Sequence, residues 1–313
     1  MHVAFDLTSC PRPERGTAVA IGVFDGVHRG HRAVLATLRE HADRLGCETA
    51  VVTFDPHPAT VVRPESAPCL LTTLEQRLDL LAASGVDHAV VVRFDEERSR
   101  EPAAEFVHEV LIDCLRVKAV VVGEDFHFGR GREGNIALLR HLGESSGFEV
   151  HPLGLVPRED GVVEPVSSTA IRRALAGGEV AQAAHLLGRP FEVRGTVVPG
   201  AHRRLGFPTA NLDTAAGLCL PADAVYAGWY VRPDGARHPA AVSIGRRPTF
   251  EDHAAASVLE VHLLDFEGDL VGEAAAVELV ALLRSQRKFE SVEALVAQLH
   301  HDVDEARRAL HLA

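Results

Sequence analysis

Through roughly the first 188 positions, short apolar runs rich in valine and alanine alternate with amphipathic stretches. Ala18–Val23 has the continuous apolar character of a buried strand, Arg32–Leu45 repeats apolar residues at helical spacing, and Thr49–Phe54 returns to strand. A helix over Leu74–Ala83, opening after Thr72 and Thr73 with Glu75 early, leads to a strand over His88–Arg93. A helix over Ala103–Leu115 and a strand over Ala119–Gly123 continue the series. Strands and helices alternating at this spacing predict parallel βαβ units, and so an α/β doubly wound, Rossmann-like sheet. Ligands bind such sheets at the carboxyl ends of the strands, which gives most weight to whatever follows each strand.

From Gly195 the pattern changes to short strands separated by Gly/Pro turns: Arg194–Val198, Ala224–Val231, Ala240–Ile244 and Val258–Leu264. Helix-length patterns return only at Val277–Leu283 and Val292–Arg308. Closely spaced strands ending in helix predict a small β-barrel with a terminal helix. Ala181–Pro190 reads as the junction, giving domains 1–187 and 188–313.

Composition narrows the function classes. Of 313 residues, 46% are hydrophobic and 24% charged, which is globular and supports a sizeable core. No apolar run approaches the roughly 18 residues of a membrane span, and Met1–Pro13 lacks a signal-peptide pattern, so a soluble, cytoplasmic protein with no membrane partner is expected. The five cysteines are scattered, with no C-x-x-C, and structural disulfides are not expected. The net charge of −12 argues against a nucleic-acid partner, because a polynucleotide binder needs an electropositive footprint. A nucleotide is not excluded, since a helix N-terminus or a few arginines can hold phosphate locally. The only lysines, Lys118 and Lys288, are outside any P-loop context, so that route to triphosphate binding is closed.

The chemistry-bearing strings lie after strands. Gly22-Val23-Phe24-Asp25-Gly26-Val27-His28-Arg29-Gly30-His31 follows the first strand. Its glycines permit a tight turn, and the next helix, beginning near His31, directs its positive end to the same place. The H-x-G-H spacing sets two imidazoles beside that anion site; a lone histidine there would read more readily as a turn cap or a solvated side chain, and the full ten-residue string reverses that preference. Phe54 and Asp55 end the second strand in T-F-D-P-H-P, which also suits a purely structural turn. Gly123, Asp125, Phe126 and Phe128 follow a later strand and suit a planar ring and a sugar, or a core anchor. Ser168, Thr169 and Arg172 place hydroxyls and a guanidinium at a helix start, as a cap or a triphosphate grip.

Taken in order, G-x-F-D-G-x-H-x-G-H, T-F-D-P-H-P, V-G-x-D-F-x-F-G and S-S-T-x-I-R resemble the adenylyltransferase domain of bacterial bifunctional riboflavin kinase/FAD synthetases, within the H-x-G-H nucleotidyltransferases. The C-terminal part resembles the same family's kinase domain through Leu205–Leu212, Pro221–Gly228, Ser243–Phe250, Leu259–Phe266 and Arg284–Phe289. The resemblance implies ATP, riboflavin and FMN as small-molecule partners and Mg²⁺ as cofactor. It implies that His28 and His31 stabilise a triphosphate gripped by Ser168, Thr169 and Arg172. Gly22, Phe24, Asp25, Gly26, Phe54, Asp55, Gly123, Asp125, Phe126 and Phe128 are then nucleotide- and flavin-binding positions. In the kinase domain it implies nucleotide binding by Gly206 and Pro208, Mg²⁺ ligation by Thr209 and Asn211, and Glu260 as general base. Relative to the family pattern, the Gly200–Arg204 stretch is short, Val271 replaces a common aromatic and Ser243 a frequent asparagine. The alternatives are a single-activity FMN adenylyltransferase with an impaired kinase domain and a non-catalytic flavin-binding regulator.

Overall fold

The structure, a computed structural model, describes residues 1–200, 207–246 and 257–312. It divides into two compact units, Met1–Ser167 and Ser168–Ala313.

The first unit is built on a six-stranded, wholly parallel sheet of β1 (His2–Phe5), β2 (Thr17–Ile21), β3 (Glu48–Asp55), β4 (His88–Arg93), β5 (Val117–Gly123) and β6 (Glu149–Leu153). The spatial order is β1-β4-β3-β2-β5-β6, so successive crossovers change direction at β2, and the switch point lies between β2 and β5. All five residues of β2 are buried, as expected of a central parallel strand covered on both faces. Ala18 and Ala20 pack with Leu35, Leu38 and Ala42 of α1 (Arg29–Leu45). Val19 and Ile21 face the opposite layer, with Phe106, Val107 and Leu111. Those last residues belong to α5 (Ala103–Phe106) and the π-helical stretch Val107–Cys114, which the sequence reads as one continuous helix. The short α2 (Pro58–Val62) and α4 (Glu96–Ser99), with α3 (Leu74–Ala83) and α6 (Ile136–Ser146), complete the unit. A capping box between Thr73 and Gln76 starts α3 where the sequence expects it.

The second unit opens with α7 (Ser168–Ala176) and α8 (Val180–Leu187), the latter packed on strands β7 and β12 of a closed antiparallel barrel. The barrel comprises β7 (Phe191–Val198), β8 (Ala210–Thr214), β9 (Ala224–Val231), β10 (Arg237–Arg246), β11 (Ser257–Leu263) and β12 (Ala274–Ser285), ordered β10-β11-β8-β7-β12-β9. Alternate residues such as Tyr226, Val242, Ile244, Leu259, Val261, Val277 and Leu279 are almost wholly buried. The terminal helix α9 (Val292–Ala309) packs Ala306 and Val303 against Ala227, Trp229, Ala241 and Leu283.

Two expectations are corrected. Val277–Leu283 is not helical but lies in β12; a seven-residue, almost continuously apolar run does not distinguish the two periodicities, and the deciding alternation of buried Ala275, Val277 and Leu279 begins upstream. Cys10 and Cys114 form a disulfide with an S–S distance of 2.10 Å; their sequence separation of 104 leaves no local spacing to read. Cys47 is a buried free thiol.

The barrel and α9 are also joined by charge. Arg284 Nε donates to Asp302 Oδ1 at 2.8 Å and Nη2 to Oδ2 at 2.6 Å, while Gln298 Nε2 donates to Oδ1 at 2.6 Å. Asp302 is only 3% exposed. Removing one partner of such a pair strands the other charge, so Asp302→Ala is expected to cost about 3 kcal/mol in the unfolding free energy of this unit by chemical denaturation. Replacing Arg284 and Asp302 together by apolar residues should cost less than the single change.

Candidate active sites

The loop after β2 is held in an unusual backbone conformation. Phe24 (φ 54°), Gly26 (φ 82°) and Val27 (φ 38°) all occupy the left-handed region, which a β-branched residue such as Val27 rarely adopts. Burial of Phe24 and Val27 and one carboxylate maintain it. Asp25 accepts hydrogen bonds from the backbone N–H of Leu71 (3.0 Å to each oxygen) and Thr72 (3.1 Å), and from the Thr72 hydroxyl (3.2 Å). The same hydroxyl accepts from Gly26 N–H at 3.1 Å. Asp25, expected to bind nucleotide, is therefore 2% exposed and engaged in clamping the loop to the segment before α3.

The helix begins three residues earlier than its apolar pattern indicates, because His28 is its N-cap. His28 Nδ1 accepts from His31 N–H at 3.3 Å, so the ring proton belongs on Nε2, which is then a donor. The two imidazoles stack with centroids 3.6 Å apart and planes at 17°. Gly30 leaves the His28 ring room: a Cβ there would lie 3.1 Å from two atoms of that ring and 3.3 Å from the Val166 carbonyl, close enough that a neighbour would have to give way. Gly22 similarly leaves room for the Phe24 ring, 3.3 Å from where its Cβ would be. The His31 pKa is driven well below the usual imidazole value, first by burial and then by His28 and Arg77. Its Nδ1 is enclosed without a hydrogen-bond partner.

Arg77, on α3, went unrecognised in the sequence. It is fully buried, and its Nη1 donates to Val23 O (3.1 Å), Thr53 Oγ1 (3.0 Å) and Phe54 O (2.9 Å), tying the loop after β2 to the end of β3. Its Nε and Nη2 have no hydrogen-bond partner. Burial lowers its pKa, and Asp25 and Asp55 oppose that. The N3 position of the capping box pointed only to a helix start, and nothing in the local pattern marks the next residue as a buried cation.

Phe54 and Phe126 are half-buried, Asp125 is exposed and Phe128 is a core residue. Their rings form a chain, Phe126 to Phe128 (5.4 Å), Phe128 to Phe106 (5.7 Å) and Phe106 to Phe54 (6.1 Å), with Phe94 edge-on to Phe54. Phe94 and Phe106 were not anticipated. Gly123 allows the Asp125 carboxylate to fold back, 3.0 Å from where a Cβ would be. In the second unit, Ser168 and Arg172 are half-buried and Thr169 is exposed, all in the first turns of α7.

On the barrel, strand register brings the kinase-type positions into one row. Asn211 lies opposite Glu260, and Glu260 opposite Ser243. This row is on the outer face, since the alternate residues Leu212, Leu259 and Ile244 fill the interior. Asn211 is buried against the Gly200 backbone, where a Cβ would fall 1.9 Å from the amide nitrogen. Gln286, in the Arg284–Phe289 string but given no role by it, donates to Ser243 Oγ at 3.1 Å. Pro208 O is bonded to His262 Nδ1 at 2.9 Å, and Phe207 meets the rings of His262 and His300. Beside the row, a cavity of about 520 Å³ is lined by Val197, Gly200, Pro208, Thr209, Phe266, Asp269 and Val271 among others. Gly206, residues 201–204 of the short loop and positions 247–250 lie outside the described residues.

Comparison with known proteins agrees with both halves. Residues 10–170 match the FAD synthetase family and residues 187–310 the riboflavin kinase family. The bifunctional riboflavin kinase/FMN adenylyltransferase of Pseudomonas fluorescens is 42% identical over 299 residues, 95% of this chain and 94% of its own length. This chain belongs to the bifunctional riboflavin kinase/FMN adenylyltransferase family. The family's Escherichia coli K12 member is 40% identical over 297 residues, covering 94% of this chain and 93% of its own. A Streptococcus pneumoniae crystal structure described as a macrolide-efflux protein shares 29% identity at a TM-score of 0.87, covering 98% of this chain and 99% of that one. Among the described residues of this family member, no helix is long and apolar enough to cross a membrane.

The depressed His31 pKa sets a pH dependence. With the folded value below the unfolded one, the unfolded chain takes up a proton first, so His31 contributes stability that is present above about pH 6.5 and lost as pH falls. Urea unfolding of the wild type and His31→Gln between pH 7.5 and 5 should show the variant losing less stability on acidification.

Proposed function

We propose that this protein phosphorylates riboflavin with ATP to give FMN and ADP in a C-terminal domain, residues 188–313, and adenylylates FMN with a second ATP to give FAD and pyrophosphate in an N-terminal domain, residues 1–187. The observation that carries this reading is the agreement of two independent family matches, in order, with two distinct phosphate-type sites. Alignment over more than nine-tenths of both chains with bifunctional relatives favours two activities over one.

Both steps are displacements at phosphorus, in which positioning and charge neutralisation supply most of the catalysis. In adenylyl transfer, an FMN phosphate oxygen bonds to the α-phosphorus of ATP and the bond to the pyrophosphate oxygen breaks. His28, with a donor at Nε2 on a helix N-terminus, suits the charge that develops there. Neutral His31 can also donate without a second buried cation beside Arg77. Ser168, Thr169 and Arg172 are assigned to the triphosphate by sequence pattern. Half-buried Phe54 and Phe126 suit a stacking role, whereas buried Phe128 supports them from beneath.

In phosphoryl transfer, Glu260 accepts the proton of the ribityl 5′-hydroxyl as that oxygen attacks the γ-phosphorus and ADP departs. Thr209, which lines the cavity, and Asn211, two residues further along, offer hard hydroxyl and amide oxygens, a donor set that fits Mg²⁺. Bound there, Mg²⁺ would neutralise charge on the ATP phosphates. These substrates suit a cytoplasmic enzyme.

Chromatography of products from riboflavin with MgATP should show FMN followed by FAD. His28→Ala should stop the sequence at FMN, with FAD formation reduced by about 100-fold or more. Glu260→Gln should block FMN formation while still converting supplied FMN to FAD. Undiminished FAD formation by His28→Ala would refute the first assignment. A wild-type protein that adenylylates FMN but never phosphorylates riboflavin would establish the single-activity reading.

A further inference from the structure

The helix that His28 caps carries a second histidine cluster, far from that cap. His41, three turns along α1, stacks on His151 of the sheet-edge strand β6, with ring centroids 3.7 Å apart. Glu149 and His151 are two apart on β6 and so share a face. One ligand atom from each of His41, Glu149 and His151 lies within 4.8 Å of the others. His151 Nε2 is 2.8 Å from Glu149 Oε2.

A cation already sits among these groups. Arg44 Nη2 donates to His41 Nδ1 at 3.1 Å, Nη1 donates to Glu149 Oε1 at 3.3 Å, and Nη2 pairs with Glu149 Oε2. His41 thus presents a lone pair to the cluster, as a metal ligand must. The Arg44 side chain is 50% exposed on a long flexible stem, so it can leave for solvent at little cost.

We propose that His41, Glu149 and His151 bind a divalent transition-metal ion such as Zn²⁺, with Arg44 as the exchangeable cation that occupies the cluster in metal-free protein. Two imidazoles and a carboxylate, with water as fourth ligand, form a donor set for zinc rather than for Mg²⁺, which prefers oxygen alone. This site is separate in residues and in chemistry from those that handle MgATP. Bound metal clamps the C-terminal half of α1 to the edge of the sheet.

Zinc competition with a chromophoric chelator, on the full-length protein, tests the proposal. One equivalent is expected to bind, and His41→Ala and His151→Ala should each weaken it by about tenfold or more. Glu149→Gln provides a third variant should either histidine change prevent folding. Arg44→Gln should tighten binding, because it removes the competing cation, and His141→Ala, at an exposed histidine on α6, should leave it unchanged. FAD formation with MgATP should be the same in all these variants. No zinc uptake by wild type, uptake unchanged in both histidine variants, or weaker binding by Arg44→Gln would each overturn it.

Discussion

The first site depends on a single buried carboxylate. Asp25 ties a loop with two non-glycine residues in left-handed conformations to the backbone of Leu71 and Thr72. Residues held in such regions cost of order 1–3 kcal/mol each and persist only where the surroundings overdetermine them. Here the clamp, the buried Phe24 and Val27 side chains and the Arg77 contacts do so together. The result is that His28 arrives at the start of α1 as its cap, and Gly30 leaves the space into which its ring folds. Backbone strain, helix capping and the imidazole pair are consequences of one local arrangement.

Electrostatics explain why that arrangement must be local. Residues 1–188 carry 19 basic and 27 acidic groups, and residues 189–313 carry 13 and 17, so neither half attracts a triphosphate through its overall field. In the function proposed above, attraction comes from oriented donors at short range, a helix N-terminus and an imidazole N–H, and in the kinase domain from hard oxygen ligands suited to Mg²⁺. A neutral His31 beside Arg77 fits this economy of charge, since a second buried cation there would repel the first.

Much of this was legible in the sequence, for identifiable reasons. Leu74–Ala83, His88–Arg93 and Ala224–Val231 have the observed bounds because capping residues and turns frame their apolar runs. The ordered motifs disclosed both activities. Phe24, Asp25 and Phe128, which the motifs place among the binding positions, are buried, and motif membership alone does not say which side of a loop a residue faces. Arg77 and Phe106 were hidden because they enter the site from helices whose local pattern indicates only a helix, and Gln286, just past the end of β12, lies in a quoted string that gave it no role. The Cys10–Cys114 bridge and the β12 strand were hidden by long-range pairing and by a run too short to show its period.

Asp25→Ala tests the dependence on that carboxylate most directly, because it removes the hydrogen bonds to Leu71 and Thr72 that hold the loop. The measurement is the rate of FAD formation from FMN and of FMN formation from riboflavin in the same preparation, with its fold checked by circular dichroism. The account predicts that the first falls by about 100-fold as the loop and His28 lose their position, while the second is unchanged. A folded Asp25→Ala protein that makes FAD at the wild-type rate would contradict it.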